Sequence, residues 1–349
     1  MQKLSAYRKN NQIATKSRST GAFRSAKEEQ RYWLLLIILL SLAILASYGL
    51  LVYKNPVAVT SPSFLPIVKR RTTALTAMVI VALCQSLSTV AFQSITTNRV
   101  VTPSLLGFEA LYVSIHTATM FFFGVTAFVG FTGLVPFIIQ VVAMVSLCLL
   151  LYGWLLSGKY GDLQLMLLVG VIIGSGLRSL SSFMKRILTP SEYDLLQARL
   201  LGSVNNADAD YFPIAIPIVV LAVIMLFVYS KRLNVVALGK DVCQTLGVRY
   251  QASVIFILVI VAVLMSISTA LVGQLTFFGF LVATLTYQAA PTYDHKYVFP
   301  MAFVIGYVII TVAYFFMYHV FNAQGVVSVI IEIFGGLTFL IVVLRKGSL

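Results

Sequence analysis

The sequence predicts an all-α integral membrane protein with about ten transmembrane helices. Two observations carry the prediction. Charged residues make up only 10% of the 349 residues while hydrophobic residues make up 59%, with a mean hydropathy of +0.95. A soluble domain carries about 25% charged residues, so this chain cannot cover a water-facing globule of its size. The apolar residues also gather into ten runs, most of them near the roughly 20 residues that a helix needs to cross the hydrocarbon core. Runs of that length exclude a β-barrel, whose strands are about 10 residues of alternating polarity. Helices satisfy their own backbone groups in lipid, where an unpaired group costs several kcal/mol.

In chain order, residues 1–32 form a basic tail. Eight of the 25 Lys and Arg residues lie in the first 31 positions, just ahead of the first apolar run. A net charge of +14 also fits a nucleic-acid binder. The placement instead suits a cytoplasmic flank near anionic head groups, a solvated tail, or both, and no nucleic-acid partner is expected. The first run, 33–53, exceeds the about 7–15 residues of a signal-peptide core. It follows a long leader containing Glu28 and Glu29, and no small-x-small site follows it. It is read as a retained transmembrane helix.

The other runs are 72–95, 107–128, 134–157, 163–184, 211–230, 252–272, 276–290, 299–320 and 326–344. The eighth is short, which fits a span packed inside protein or partly re-entrant. Residues 33–346 thus read as one ten-helix domain. With the N-terminus inside, 17 of the 25 cations fall in inside segments and seven outside, with Arg178 within a span. The positive-inside rule then puts both termini in the cytoplasm. The outside exceptions cluster, notably at Lys69, Arg70 and Arg71.

Two connections are long. Segment 185–210, outside, contains Pro190, Glu192, Asp194, Asp208 and Asp210; Ser191–Leu201 can form a short surface helix with Ser191 as N-cap. Segment 231–250, inside, carries Val235, Val236, Leu238, Val242 and Leu246. These are too few for a span but enough for two short helices separated at Gly239, the second stopped at Gly247. The segment is either a partner-docking element or a generic amphipathic loop.

Ionisable residues within membrane runs are functional candidates by default. Glu109, at the start of a run, reads as interfacial. Arg178 can snorkel or pair, and Glu332, about one and a half turns into the last run, should face protein or water. Gly170, Gly174, Gly176, Gly335 and Gly336 suit close helix approach. Cys84, Cys148 and Cys243 read as small buried hydrophobes. His116, His295 and His319 are scattered, so neither a metal site nor an enzyme's side-chain cluster is expected.

Three local patterns say more than hydropathy. Gln93 to Gly107 runs through Asn98, Arg99 and Pro103: a polar stretch ends one helix, and Pro103, whose fixed φ suits a first helical turn, restarts another. The second pattern spans Leu238-Gly239 to Thr245-Leu246-Gly247. The third, Gly273-Gln-Leu-Thr-Phe277-Phe-Gly279-Phe-Leu281, breaks a span at Gly273 and restarts it within a few residues. Such a break needs protein or a water-lined cavity to satisfy the freed backbone.

In this order, with Gly335, Gly336 and Phe339 in a run ending at Leu344, these patterns resemble the FecCD-type permeases, the iron-siderophore and vitamin B12 class of ABC importers. The resemblance covers about residues 65–346. Arg99 stands where the family has proline after the asparagine, and Ala283-Thr284 where many members have Pro-His; these departures bear on the substrate more than on the class.

The resemblance implies a type II ABC importer permease architecture, with two ten-helix subunits lining one pathway. The second permease subunit would be a paralogue rather than an identical copy. Two copies of an ABC ATPase would dock beneath, carrying the ATP and Mg, with no cofactor bound by this chain. Leu238, Gly239, Thr245, Leu246 and Gly247 would form the coupling element on the ATPase. An extracytoplasmic substrate-binding lipoprotein would deliver the cargo, with Lys69, Arg70 and Arg71 at its docking position. The family's further docking cations near the last extracellular turn have no counterpart in Phe321–Gly325. Gln93, Asn98, Pro103, Gly107, Gly273, Phe277, Gly279, Glu332, Gly335 and Gly336 would be pathway or packing residues.

The expected function is non-catalytic: translocation of an iron chelate, a ferric siderophore, by alternating access in a bacterial plasma membrane. Import of cobalamin or haem by the same machinery is the alternative within the class. A secondary transporter would need a mid-membrane ion-coupling acid and leaves segment 231–250 unexplained. A membrane enzyme would need clustered His, Asp, Glu or Cys.

Overall fold

The computed structural model describes residues 21–53, 64–157, 163–320 and 327–346. The first 20 residues of the basic tail, Lys54, Lys159 and residues 321–325 lie outside them. The described helices are α1 (Ala26–Val52), α2 (Phe64–Ile95), α3 (Phe108–Gly130), α4 (Leu134–Ser157), α5 (Leu163–Ile187), α6 (Pro190–Leu200), α7 (Phe212–Val236), α8 (Lys240–Thr245), α9 (Tyr250–Val272), α10 (Phe278–Ala289), α11 (His295–His319) and α12 (Val327–Lys346). Each of the ten apolar runs falls on its own helix, and α6 and α8 occupy the two long connections. Seven helices (α1, α2, α3, α5, α7, α9 and α11) are long and apolar enough to cross a membrane. The apolar stretches Leu134–Leu150, Phe278–Ala289 and Val327–Val342 are shorter. Among the described residues the β-type pairing is one isolated parallel bridge, Leu201 with Gln274.

Several boundaries move for local reasons. α1 starts at Ala26, inside the predicted tail, because Ser25 caps it: the Ser25 hydroxyl accepts from the Glu28 N–H at 3.3 Å. Glu28 and Glu29 then sit in the first turn, where negative charge suits the helix dipole. α2 starts at Phe64 rather than 72, with Pro66 in its first turn. Its 32 residues span ~48 Å, longer than the about 30 Å of a hydrocarbon core. In the surface helix α6 the cap is Thr189, not Ser191. Pro190 takes the first helical position, and the Glu192 carboxylate, at N3, accepts from the Thr189 N–H at 2.9 Å. That is a capping box, which the sequence offers through Thr189-x-x-Glu192.

α2 and α9 form the centre: 78% of the membrane window of each is buried, against 17% for α5 and 22% for α1. Lipid supplies no hydrophobic drive between helices, so small and polar residues make these contacts. α2 buries Gln85, Ser86, Ser88 and Thr89 among Ala77, Ala82 and Ala91. Its Gln85 amide donates to Ser268 Oγ on α9 at 3.1 Å. A Cβ on Gly279 of α10 would lie 2.2 Å from Thr89 Oγ1, so α10 sits on α2 at a distance only glycine allows.

Candidate functional site

Three of the four sequence patterns meet in space. The first begins where α2 ends. Gln93, buried, donates from Nε2 to the Arg99 carbonyl at 2.7 Å, and Asn98 Oδ1 accepts from the Val100 N–H at 3.0 Å. These bonds fold the polar stretch back on itself. Pro103 opens a single 3-10 turn, Pro103–Leu106, and not the span itself; α3 starts after Gly107. Gly107 has φ +96° and its Cα packs on Gly174, near the middle of α5: a Cβ on either glycine would fall 3.1–3.3 Å from the other's Cα. The left-handed φ and the approach both require glycine.

The second broken helix completes this corner. α9 stops at Gly273, φ +93°, and α10 begins at Phe278. The freed backbone is satisfied by protein. Ser203 N–H donates to the Val272 carbonyl at 2.8 Å and Gln274 N–H to the Leu200 carbonyl at 3.4 Å. Gly202 makes this contact possible, since a Cβ there would sit 2.0 Å from the Gln274 carbonyl oxygen. The closing pattern arrives through Gly335 of α12, against which Phe277 packs; a Cβ on Gly335 would be 2.6 Å from Phe277 Cβ. Gly336, beside it, faces open space.

Glu109 ties the corner together, and here the sequence reading is corrected. It is not interfacial but buried, 2% exposed. Thr276 donates its hydroxyl to Glu109 Oε2 at 2.7 Å, and Gln274 Nε2 donates to the Glu109 carbonyl at 3.1 Å. Oε1 has no hydrogen-bond partner. Ser104, Arg178 of α5 and the half-buried Glu332 of α12 are the other groups that act on this carboxylate. Its signal in the sequence is an ionisable side chain at the start of an apolar run.

The α7–α9 connection lies at another part of the molecule. The first of the two expected short helices is the end of α7, which runs without a break to Val236, so Val235 and Val236 pack inward. Gly239 (φ +97°) and Gly247 (φ +77°) bracket α8. Thr245 donates its hydroxyl to the Asp241 carbonyl at 2.8 Å. Cys243 is buried beneath the helix, while Leu238, Val242 and Leu246 are 60%, 45% and 58% exposed. An anchored element thus presents three apolar side chains outward.

This element is wired to the core. Asn234, on the last turn of α7 before it, donates from Nδ2 to Asp294 Oδ1 at 2.9 Å. Its Oδ1 faces His295 Nδ1, and His295 Nε2 lies 2.6 Å from Ser94 Oγ on α2. The chain borders a cavity of about 660 Å³ that also meets Arg99, Leu238 and Tyr287. Arg99 has a place there that proline could not fill, its guanidinium 4.6 Å from the centroid of the Tyr287 ring.

The cationic cluster lies within α2 and not ahead of it. Lys69 and Arg70 are exposed. Arg71 donates from a guanidinium nitrogen to the Leu51 carbonyl at 2.7 Å, closing the end of α1. Among the described residues no group of His, Cys, Asp and Glu is arranged to hold a metal ion, and the three cysteines are free and buried.

Among the described residues, ten apolar helices, two of them restarted after glycine breaks, with an anchored amphipathic connection, define a polytopic membrane protein. The FecCD transport family matches residues 33–345, and the chain belongs to that family. It is 65% identical over 337 residues to the petrobactin import system permease protein FatC of Bacillus anthracis, covering 97% of this chain and 95% of that one. It is 34% identical over 279 residues to the petrobactin import system permease protein YclO of Bacillus subtilis (strain 168), covering 80% of this chain and 89% of the relative. A solved structure described as an inward-facing conformation of a metal-chelate type ABC transporter shares the fold, with TM-score 0.75 over 90% of this chain and 99% of the other at 18% identity.

Proposed function

We propose that this chain is the permease subunit of an ATP-binding cassette importer that carries a ferric siderophore of the petrobactin class across a bacterial plasma membrane. The observation that carries the reading is the 65% identity to a petrobactin import permease across 97% of the chain. The subunit itself makes and breaks no covalent bond. ATP and Mg belong to two copies of a partner ATPase, and this chain binds no cofactor.

The geometry supports a division of labour among the partners. Leu238, Val242 and Leu246 form the apolar face that enters the ATPase, with Gly239, Thr245 and Gly247 shaping α8 beneath it. ATPase closure displaces that element. The displacement reaches α2 and α11 through Asn234, His295 and Ser94. Both termini are cytoplasmic, on the Lys and Arg asymmetry. Lys69 and Arg70 then face outward and steer an extracytoplasmic binding lipoprotein, contributing on-rate and orientation more than affinity. Arg71 is withdrawn from docking by its bond to Leu51. The second permease subunit is a paralogue, in line with the relatives named FatC and FatD from one organism, the latter 25% identical over 180 residues.

The test is uptake of radioactive iron into cells lacking this gene. Wild-type chain, expressed with its paralogue, ATPase and lipoprotein, restores uptake of ferric petrobactin in an ATP-dependent manner. Restored uptake of cobalamin or haem instead, or uptake that persists without the ATPase, would overturn the reading.

A further inference from the structure

We propose that one face of α5 is a cargo-facing wall that selects an anionic, oxygen-rich chelate, with Arg178 as its deepest contact. The inference rests on the importer reading above and names the charge class of the cargo.

Six polar side chains stand on the second half of α5: Ser175, Arg178, Ser179, Ser182, Lys185 and Arg186. At about 100° per residue they fall within an arc of about 120°, and the stripe runs ~16 Å along the helix. Lys185 is half-buried and the other five are exposed. The side packed on the protein is a different one, carrying Gly174, Ser181 and Met184. A third sector, with Leu180, Phe183 and Ile187, is exposed and apolar. That sector suits lipid, and the stripe does not.

Arg178 decides what the stripe faces. It sits ~14 Å from the Ile187 end of α5, at about 1.5 Å per residue. It does not snorkel toward that end. One of its guanidinium nitrogens lies 3.4 Å from where a Cβ on Gly174 would be, one turn further in. Nor does it pair. No ion pair joins it to Glu109, whose Oε2 is held by the Thr276 hydroxyl. Among the described residues no hydrogen bond engages its guanidinium, and α5 itself contains no Asp or Glu. A bare charge at this depth is costly in lipid and faces a bundle interior or a water-filled cavity. α5 is the least buried of the seven long apolar helices, at 17%, so this chain does not enclose the stripe, and a water-filled path meets it instead.

The side chains name the ligand. Three cations and three hydroxyls in one line, with no acid among them, recognise an anion that offers oxygen acceptors. The arginine guanidinium presents a planar fork that matches carboxylate-type oxygens. A row of one sign concentrates the matching ion at its mouth, and cationic linings are how anion pathways select. A ferric chelate that wraps its iron in anionic oxygen donors has this character. Because the contacts are spread along the stripe, each holds the cargo weakly enough to pass it on.

The test places single cysteines, Ser175→Cys, Ser182→Cys and Leu180→Cys, in the complete importer in proteoliposomes under turnover with ATP; the three native cysteines are buried. Each variant is labelled with two membrane-impermeant methanethiosulfonates, one carrying a sulfonate and one a trimethylammonium, with rates normalised to those of a free thiol. Ser175→Cys and Ser182→Cys should react about tenfold faster with the sulfonate, while Leu180→Cys, in the apolar sector, labels slowly with both. Adding Arg178→Gln should abolish the preference at Ser175→Cys, and adding Arg178→Lys should keep it. Ferric petrobactin on its binding protein should protect Ser175→Cys. No labelling of either serine position means that lipid or the second permease subunit covers the stripe. Equal normalised rates mean no selection for anions, and labelling without protection means that the cargo passes elsewhere. Each of these results overturns the proposal. In uptake, Arg178→Gln should cost about tenfold, as loss of a charge-assisted hydrogen bond does, and Arg178→Lys no more than about threefold. If wild type imports no ferric petrobactin, the importer reading itself fails and takes the cargo assignment with it; failure of the labelling pattern alone leaves that reading standing.

Discussion

Gly202→Ala gives the most direct test of how the second helix break is held. The new Cβ would lie 2.0 Å from the Gln274 carbonyl oxygen and 2.9 Å from a Leu275 methyl. The first of these is backbone and cannot rotate away. Segment 200–203 must therefore retreat from the Gly273 corner, loosening the bonds from Ser203 N–H to Val272 and from Gln274 N–H to Leu200. Overpacking costs about 1–3 kcal/mol, and two weakened hydrogen bonds about 1 kcal/mol each, for a total of ~3–5 kcal/mol. The controls are Gly176→Ala and Gly336→Ala, both helical and both facing open space. Alanine should stabilise these helices by about 0.5–1 kcal/mol. Purified protein in detergent, unfolded by heat and followed by fluorescence-detected size exclusion, should lose at least about 5 °C in apparent Tm for Gly202→Ala, with no loss for either control. A Gly202→Ala Tm equal to the controls would refute the argument that this segment seals the break by direct backbone contact.

The remaining predictions concern the coupling and docking elements. Leu246→Glu combined with Leu238→Glu should abolish co-purification of the ATPase while membrane yield stays normal, because both side chains point outward and neither supports the fold; unchanged co-purification would remove the coupling assignment. Lys69→Glu with Arg70→Glu should weaken binding-lipoprotein association, with the effect shrinking as salt is raised, measured by surface plasmon resonance on nanodisc-embedded importer. Arg71→Glu should instead lower thermal stability, by about 1–3 kcal/mol for the lost charged hydrogen bond to the Leu51 carbonyl. His295→Ala leaves Asn234 and Ser94 without their shared partner. It should keep ATPase association but reduce transport per ATP hydrolysed, read from paired uptake and phosphate-release assays.

The one-dimensional signals had unequal reach. The ten helices were legible because lipid imposes a length and a composition on every crossing. Gly239, Gly247 and Gly273 were legible because positive φ selects glycine locally. The end of α7 was not, since Val235 and Val236 continue the preceding helix as readily as they start a new one. Thr189 was missed for Ser191 although its capping-box partner Glu192 was present.

By itself, then, the sequence determined the class of protein, the number of apolar helices, the positions of the two breaks and the glycine-bracketed connection at Leu238 to Gly247. Each depends on residues close in the chain, through periodicity, run length or backbone φ. The tertiary structure alone decided which distant pieces meet. Gly107 rests on Gly174, Gly202 seals Gly273, Arg71 is spent on α1, and Glu109 is buried against Thr276 with one oxygen unpartnered. These outcomes depend on helix packing across 20 to more than 160 residues of sequence. In a membrane such packing is set by small-residue fit and polar pairing, which leave no periodic trace in a single sequence.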